Sequence, residues 1–169
     1  MPRRWFRAAL AALAIAAIGG VATFGTLRLV AGPGPTAEVP FAVGVAPAPY
    51  VGFGTARIGV GGRCVDLLVA ADARSRRTGL RGRVTTAPYA GMLFAFPADS
   101  TAGFTMSGVS VPLAITWYAA DGRPVDRARM EPCPEGSDAE CPVYGSDRPF
   151  RYALEQVVPA GSAGALGPC

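Results

Sequence analysis

Chemistry in this chain falls to carboxylates, arginines, tyrosines and thiols. Its 169 residues include no His, no Lys and no Asn, and all 16 cations are Arg. That excludes histidine-dependent triads, histidine metal ligands, Schiff-base lysines, the P-loop lysine and N-glycosylation. The thiols are Cys64, Cys133, Cys141 and Cys169. A redox site would offer Cys-x-x-Cys with a lowered thiol pKa, and a structural zinc site would offer closely spaced pairs. Neither spacing occurs, so structural disulfides are the reading. Cys133 and Cys141 flank the polar loop Glu135-Gly136-Ser137-Asp138-Ala139-Glu140 and are expected to pair, leaving Cys64 to Cys169. Four cysteines admit three connectivities, so the partition is an expectation.

Charged residues divide by position. Residues 57–83 hold seven Arg and two acids, a balance of +5, and residues 121–155 hold eight acids and five Arg, a balance of −3. An Arg patch containing Arg76, Arg81 and Arg83 could hold an anionic head group, a polysaccharide or an acidic partner. A solvated face is the plainer reading. Glu131, Glu135, Asp138 and Glu140 lack the Asp-x-Asp-x-Asp-Gly pattern of a calcium loop and read as a solvated acidic loop. No Gly-x-Ser-x-Gly elbow is present. A base would have to be a carboxylate, a Tyr or the N-terminus; an enzyme would use carboxylates such as Asp126 or Glu155, and Arg151 and Glu155 are spaced for a structural ion pair. No metal site and no cofactor are expected.

The elements that would carry these residues are mostly strands. Residues 58–60 and 64–70 read as a hairpin across Gly61-Gly62. Asp72 suits an N-cap of a short helix through Thr78, with Gly79 as its stop. Residues 91–96 form an apolar run closed by Pro97, residues 111–119 another, and residues 123–130 alternate in polarity after the turn Asp121-Gly122. Residues 152–158 complete the set. The body, residues 57–169, is therefore expected to be mainly β. About seven or eight short strands and one short helix would form a small barrel or sandwich.

The N-terminal end reads differently. Residues 1–31 carry four Arg (Arg3, Arg4, Arg7 and Arg28) and no acid, whereas residues 32–169 carry 12 Arg and 12 acids. The formal +4 thus belongs to residues 1–31 and gives no support for nucleic-acid binding. The uncharged run at residues 8–27 is long enough for a single transmembrane helix, with its basic flank on the cytoplasmic side. A retained signal-anchor is read over a cleaved signal peptide, which would give a secreted protein. Residues 32–56 read as a Pro/Gly-rich linker.

Several motifs in order then resemble one family. These are Gly79-Leu80-Arg81-Gly82-Arg83, Gly91-Met92-Leu93-Phe94-Ala95-Phe96, Phe104 with Met106, Pro112-Leu113, Asp121-Gly122-Arg123, Cys133 followed by Cys141-Pro142-Val143-Tyr144, and Arg151-Tyr152-Ala153-Leu154-Glu155. Together they resemble the domain of unknown function 192 family over about residues 57–161. The resemblance implies a compact, mainly β domain, exported or membrane-tethered in bacteria and archaea, whose biochemical role is not established. It adds Met106, Arg151 and Glu155 to the candidate binding residues. The chain departs from the family where residues 104–109 read Phe-Thr-Met-Ser-Gly-Val in place of Phe-Trp-Met-Lys-Asn-Thr. It also has Leu113-Ala114-Ile115 for Leu-Asp-Ile, and it ends soon after residues 159–161, where the family continues into a further strand.

These features predict a single-pass membrane protein with an extracytoplasmic C-terminal domain. It would act as a non-enzymatic interaction or accessory module for a membrane or envelope protein. The alternatives are a binding domain for envelope carbohydrate or lipid and, third, a carboxylate-dependent enzyme.

Overall fold

The computed structural model describes residues 43–135, 137–159 and 164–169. The chain divides into two units, 1–30 and 31–169. The first unit, and with it the expected anchor, lies outside the described residues. Among the described residues no helix is long and apolar enough to cross a membrane.

Among the described residues ten strands and one helix follow in the order β1 (Gly44–Val45), β2 (Gly54–Val60), β3 (Arg63–Ala70), α1 (Ala73–Thr78), β4 (Met92–Ser100), β5 (Phe104–Thr105), β6 (Leu113–Tyr118), β7 (Pro124–Met130), β8 (Val143–Tyr144), β9 (Phe150–Val157) and β10 (Leu166–Gly167). Eight strands form one sheet in the order β1-β2-β3-β4-β9-β6-β7, with β10 added to β2, while β5 and β8 pair separately. The six longer strands are those expected from sequence; the four additional ones are two residues each, too short to leave a periodic signal. One of them, β10, supplies a strand beyond residues 159–161.

The mainly β expectation holds, but no barrel closes. The sheet ends on β1, which is two residues long, and on β7, which pairs only with β6. With so short a strand at one end, the two edges do not meet in a continuous ladder. All pairings in the large sheet are antiparallel except β3 with β4, where Leu68, Val69 and Ala70 align with Met92, Leu93 and Phe94. A parallel pair needs a crossover, and that crossover contains α1.

Residue period 2 divides the apolar side chains between two cores. Leu68, Ala70, Met92, Phe94, Ile115, Trp117 and Ala153 fill one. Leu67, Val69, Leu93, Ala95, Tyr118, Tyr152 and Leu154 fill the other. The central strands therefore read as unbroken apolar runs. Residues 43–56, within the Pro/Gly-rich stretch, also contribute: Gly44 and Val45 pair with β2, and Ala46, Tyr50 and Phe53 are buried.

Local signals explain the turns and the helix. Gly61 and Gly62 both take positive φ (58° and 79°) at the β2–β3 turn, a conformation glycine adopts without a Cβ penalty. Asp72 caps α1: its Oδ1 accepts from the amides of Arg74 and Ser75 at 2.8 and 3.0 Å, and the Asp72 amide donates to Ser75 Oγ at 3.2 Å. Cys133 pairs with Cys141 and Cys64 with Cys169, at Cα separations of 6.0 and 5.7 Å, both within the usual span for a disulfide.

Candidate functional site

Period 2 in β9 sends Ala153 and Glu155 to the face that also carries Phe94. Glu155 aligns with Met92 of β4 on one side and Ile115 of β6 on the other. Both neighbours are fully buried, and Glu155 itself is 5 % exposed. Its carboxyl makes no hydrogen bond among the described residues. Burial pushes its pKa up to about 8, against the pull of Arg81. A lone carboxyl inside an apolar sheet is costly, and such groups concentrate at functional sites.

Glu155 lines a cleft of about 350 Å3. Above it stand the end of α1 and the residues after it (Arg76, Arg77 and Arg81), an aromatic wall of Phe94, Phe96 and Phe104, and Thr105 with Asp138 at the rim. Each guanidinium has a different status. Arg76 Nη1 donates to the carbonyls of Ala71 and Ala95 at 2.7 and 2.9 Å, and its guanidinium lies 5.1 Å from the Phe96 ring centre. Arg81 Nη1 donates to the Ser107 carbonyl at 2.7 Å, and its Nη2 meets Asp138 Oδ1 at 2.6 Å. Thr105 Oγ1 donates to the same Asp138 oxygen at 2.9 Å. Hydrogen bonds from Arg81 and then Thr105 hold the Asp138 carboxyl below the usual carboxylate range. The Arg77 guanidinium makes no hydrogen bond or ion pair among the described residues.

The aromatic wall is itself ordered. Phe94 and Phe96 meet Phe104 edge-on at centroid distances of 5.3 and 6.4 Å, an arrangement favoured by the ring quadrupoles. Cys133–Cys141 closes the loop that presents Asp138 to Arg81.

Of the six residues singled out for binding in the sequence, Arg76, Arg81 and Glu155 converge here. Arg83 instead stacks on Tyr50 and Phe53 at 4.7 and 5.6 Å and donates to the Pro49 carbonyl at 3.2 Å. Met106 is fully buried in the core. Arg151 pairs with Asp99 at 2.9 Å. The ion pair expected between Arg151 and Glu155 is thus corrected: the two are on the same strand, but Glu155 faces the desolvated interior and the exposed Asp99 is the partner within reach.

The acidic loop is largely engaged too. Glu131 pairs with Arg129 at 2.7 Å and Glu140 accepts from Ser137. Phe94, Phe96 and Phe104 were not legible as a site, because aromatic residues in apolar strands read as core. A second hollow of about 290 Å3 lies between the β6–β7 turn and β10, lined by Ile58, Gly122, Tyr152 and Leu166. Its acid, Asp121, already pairs with Arg123 at 2.9 Å.

The fold and the cleft together define a small open-sheet β-domain with a mixed arginine, phenylalanine and carboxyl hollow on one face. Residues 56–167 match the family model DUF192, described as an uncharacterized ACR, and the chain belongs to that family. Two solved structures share the fold. One, a protein of unknown function from Novosphingobium aromaticivorans DSM 12444, is 21% identical with a TM-score of 0.59, covering 80% of this chain and 99% of that one. The other, described as "a putative transcription regulator" from Sinorhizobium meliloti 1021, is 22% identical with a TM-score of 0.54, covering 77% and 96%. No curated protein matches the chain.

Proposed function

We propose that this protein is a membrane-tethered, extracytoplasmic binding domain whose site is the Glu155 cleft and whose ligand is an envelope carbohydrate. The observation that carries the reading is a buried carboxyl without a hydrogen bond at the floor of a hollow with charged and aromatic walls. Such a carboxyl is completed by a polar partner in the hollow, water or a ligand hydroxyl, and a hollow with apolar walls and a few convergent polar groups is the usual form of a small-molecule site. The two disulfides support an oxidising compartment. The basic, otherwise uncharged N-terminal segment supports the tether.

The test is retention of the full-length chain on immobilised envelope glycans and lipids, beside Glu155→Leu. Retention on a glycan, lost at least tenfold in Glu155→Leu with the near-ultraviolet circular dichroism unchanged, is expected. Equal retention of both proteins, retention on lipid alone, or stable recovery only with a membrane protein contradicts the reading. The tether is checked by protease digestion of intact cells, where the C-terminal domain should be cut from outside.

A further inference from the structure

We infer that the cleft takes an acidic saccharide, a ring bearing a carboxylate, with the carboxylate at the Arg77–Arg81 rim and a ring hydroxyl on Glu155. This rests on the carbohydrate-binding reading above and narrows it to one chemical class.

Charge sets the first requirement. Near neutral pH the buried Glu155 carboxyl keeps its proton. Among its lining residues the cleft then carries Arg76, Arg77 and Arg81 against Asp138, a balance of +2, while Asp72, outside the lining, acts on Arg76. Two of these cations are committed: Arg76 to two backbone carbonyls and Phe96, and Arg81 to Ser107 and Asp138. The guanidinium of Arg77, exposed at the rim, has no hydrogen-bond or ion-pair partner among the described residues. An anion at the mouth is what this arrangement lacks.

Asp138 indicates which anion. Its carboxylate already rests on the Arg81 guanidinium and the Thr105 hydroxyl, both groups of the cleft wall. The rim therefore accommodates a planar carboxylate, a shape that the guanidinium fork matches. Asp138 is exposed and comes from the disulfide-closed loop, 57 residues away in sequence from Arg81. A ligand carboxylate arriving at Arg77 meets this internal carboxylate as a competitor.

The floor and the wall indicate a sugar ring behind the carboxylate. Protonated Glu155 both donates and accepts, as a hydroxyl partner requires, and lies deeper than the arginines. Between them Phe94, Phe96 and Phe104 offer apolar ring surface for the C–H face of a saccharide. A volume of about 350 Å3 is at the small end of ligand sites, which run from about 300 to 1,000 Å3.

The experiment is calorimetric titration of the full-length, disulfide-intact chain with D-glucuronate, D-glucose, acetate and D-glucose 6-phosphate. The expected result is D-glucuronate binding roughly tenfold more tightly than glucose or acetate, as one added charge-assisted contact gives. Arg77→Gln should remove that advantage, whereas Arg57→Gln, which removes the same charge on β2 beside Asp66, should leave it intact. Asp138→Asn should tighten D-glucuronate binding about threefold or more by removing the competing carboxylate.

Equal affinity for glucose and glucuronate would overturn the acidic class and leave the carbohydrate reading standing. Tighter binding of the sugar phosphate, or weaker D-glucuronate binding by Asp138→Asn, would also overturn it. Acetate binding as tightly as D-glucuronate would refute the ring. Binding of no saccharide by the folded protein would remove the inference together with the proposed function.

Discussion

Glu155 ties stability to pH through a single side chain. Unfolded, its carboxyl ionises near its ordinary value of 4.5; folded, it holds the proton to about 8. Between those values the native state binds more protons than the unfolded state, so stability falls as pH rises through that window and levels off above it. Replacing the acid by an uncharged isostere removes the dependence. From pH 5 to pH 8 the wild type should lose about 2–4 kcal/mol more stability than Glu155→Gln, as proton linkage at about 1.4 kcal/mol per pH unit gives. Urea midpoints at the two pH values check this, and parallel losses in both proteins would show that Glu155 is ionised throughout. The Arg83 stack on Tyr50 and Phe53 shows the opposite use of a cation, holding residues 49–53 against the domain instead of facing a ligand.

Elements explain why some of this was legible and some was not. Asp72, Ser75 and Gly79 specify α1 locally, and Gly61-Gly62 specifies a two-residue turn, so both follow from a few adjacent residues. The cleft does not. The depth of Glu155 is set by β9 lying between β4 and β6, a strand order that no local pattern reveals. Asp138 reaches Arg81 only because the Cys133–Cys141 loop folds back on the domain. Gly91, just before β4, is equally non-local: a Cβ there would collide with the Glu155 carbonyl, so β4 can approach β9 only with glycine at that position.

The disulfides act over different spans. Cys133–Cys141 closes a separation of 8 residues and Cys64–Cys169 one of 105. Loop-closure entropy then predicts about 2–3 kcal/mol lost in the Cys133→Ser, Cys141→Ser pair and about 4–5 kcal/mol in the Cys64→Ser, Cys169→Ser pair. Denaturant unfolding of the two double variants checks the order, and a larger loss in the short-loop pair would contradict it.

At the scale of the molecule, two opposed cores give the sheet a buried interior on both faces, and α1 with the β5–β8 pair covers one of them only in part. The uncovered part is the cleft. Family membership fixes the kind of domain this is but not what it binds. Within the family motif the polar Lys and Asn positions are Ser107 and Gly108 in this chain. Ser107 takes part through its backbone carbonyl, which accepts from Arg81 Nη1 whatever the side chain.

The central claim is that the Glu155 cleft is the binding site, and an amide NMR titration of the full-length chain with D-glucuronate tests it most directly. The account predicts that the signals that shift belong to Arg77, Gly79, Gly103, Thr105 and Glu155. Shifts confined to Gly122, Leu166 and Gly167 around the second hollow, or to Tyr50 and Arg83, would contradict it.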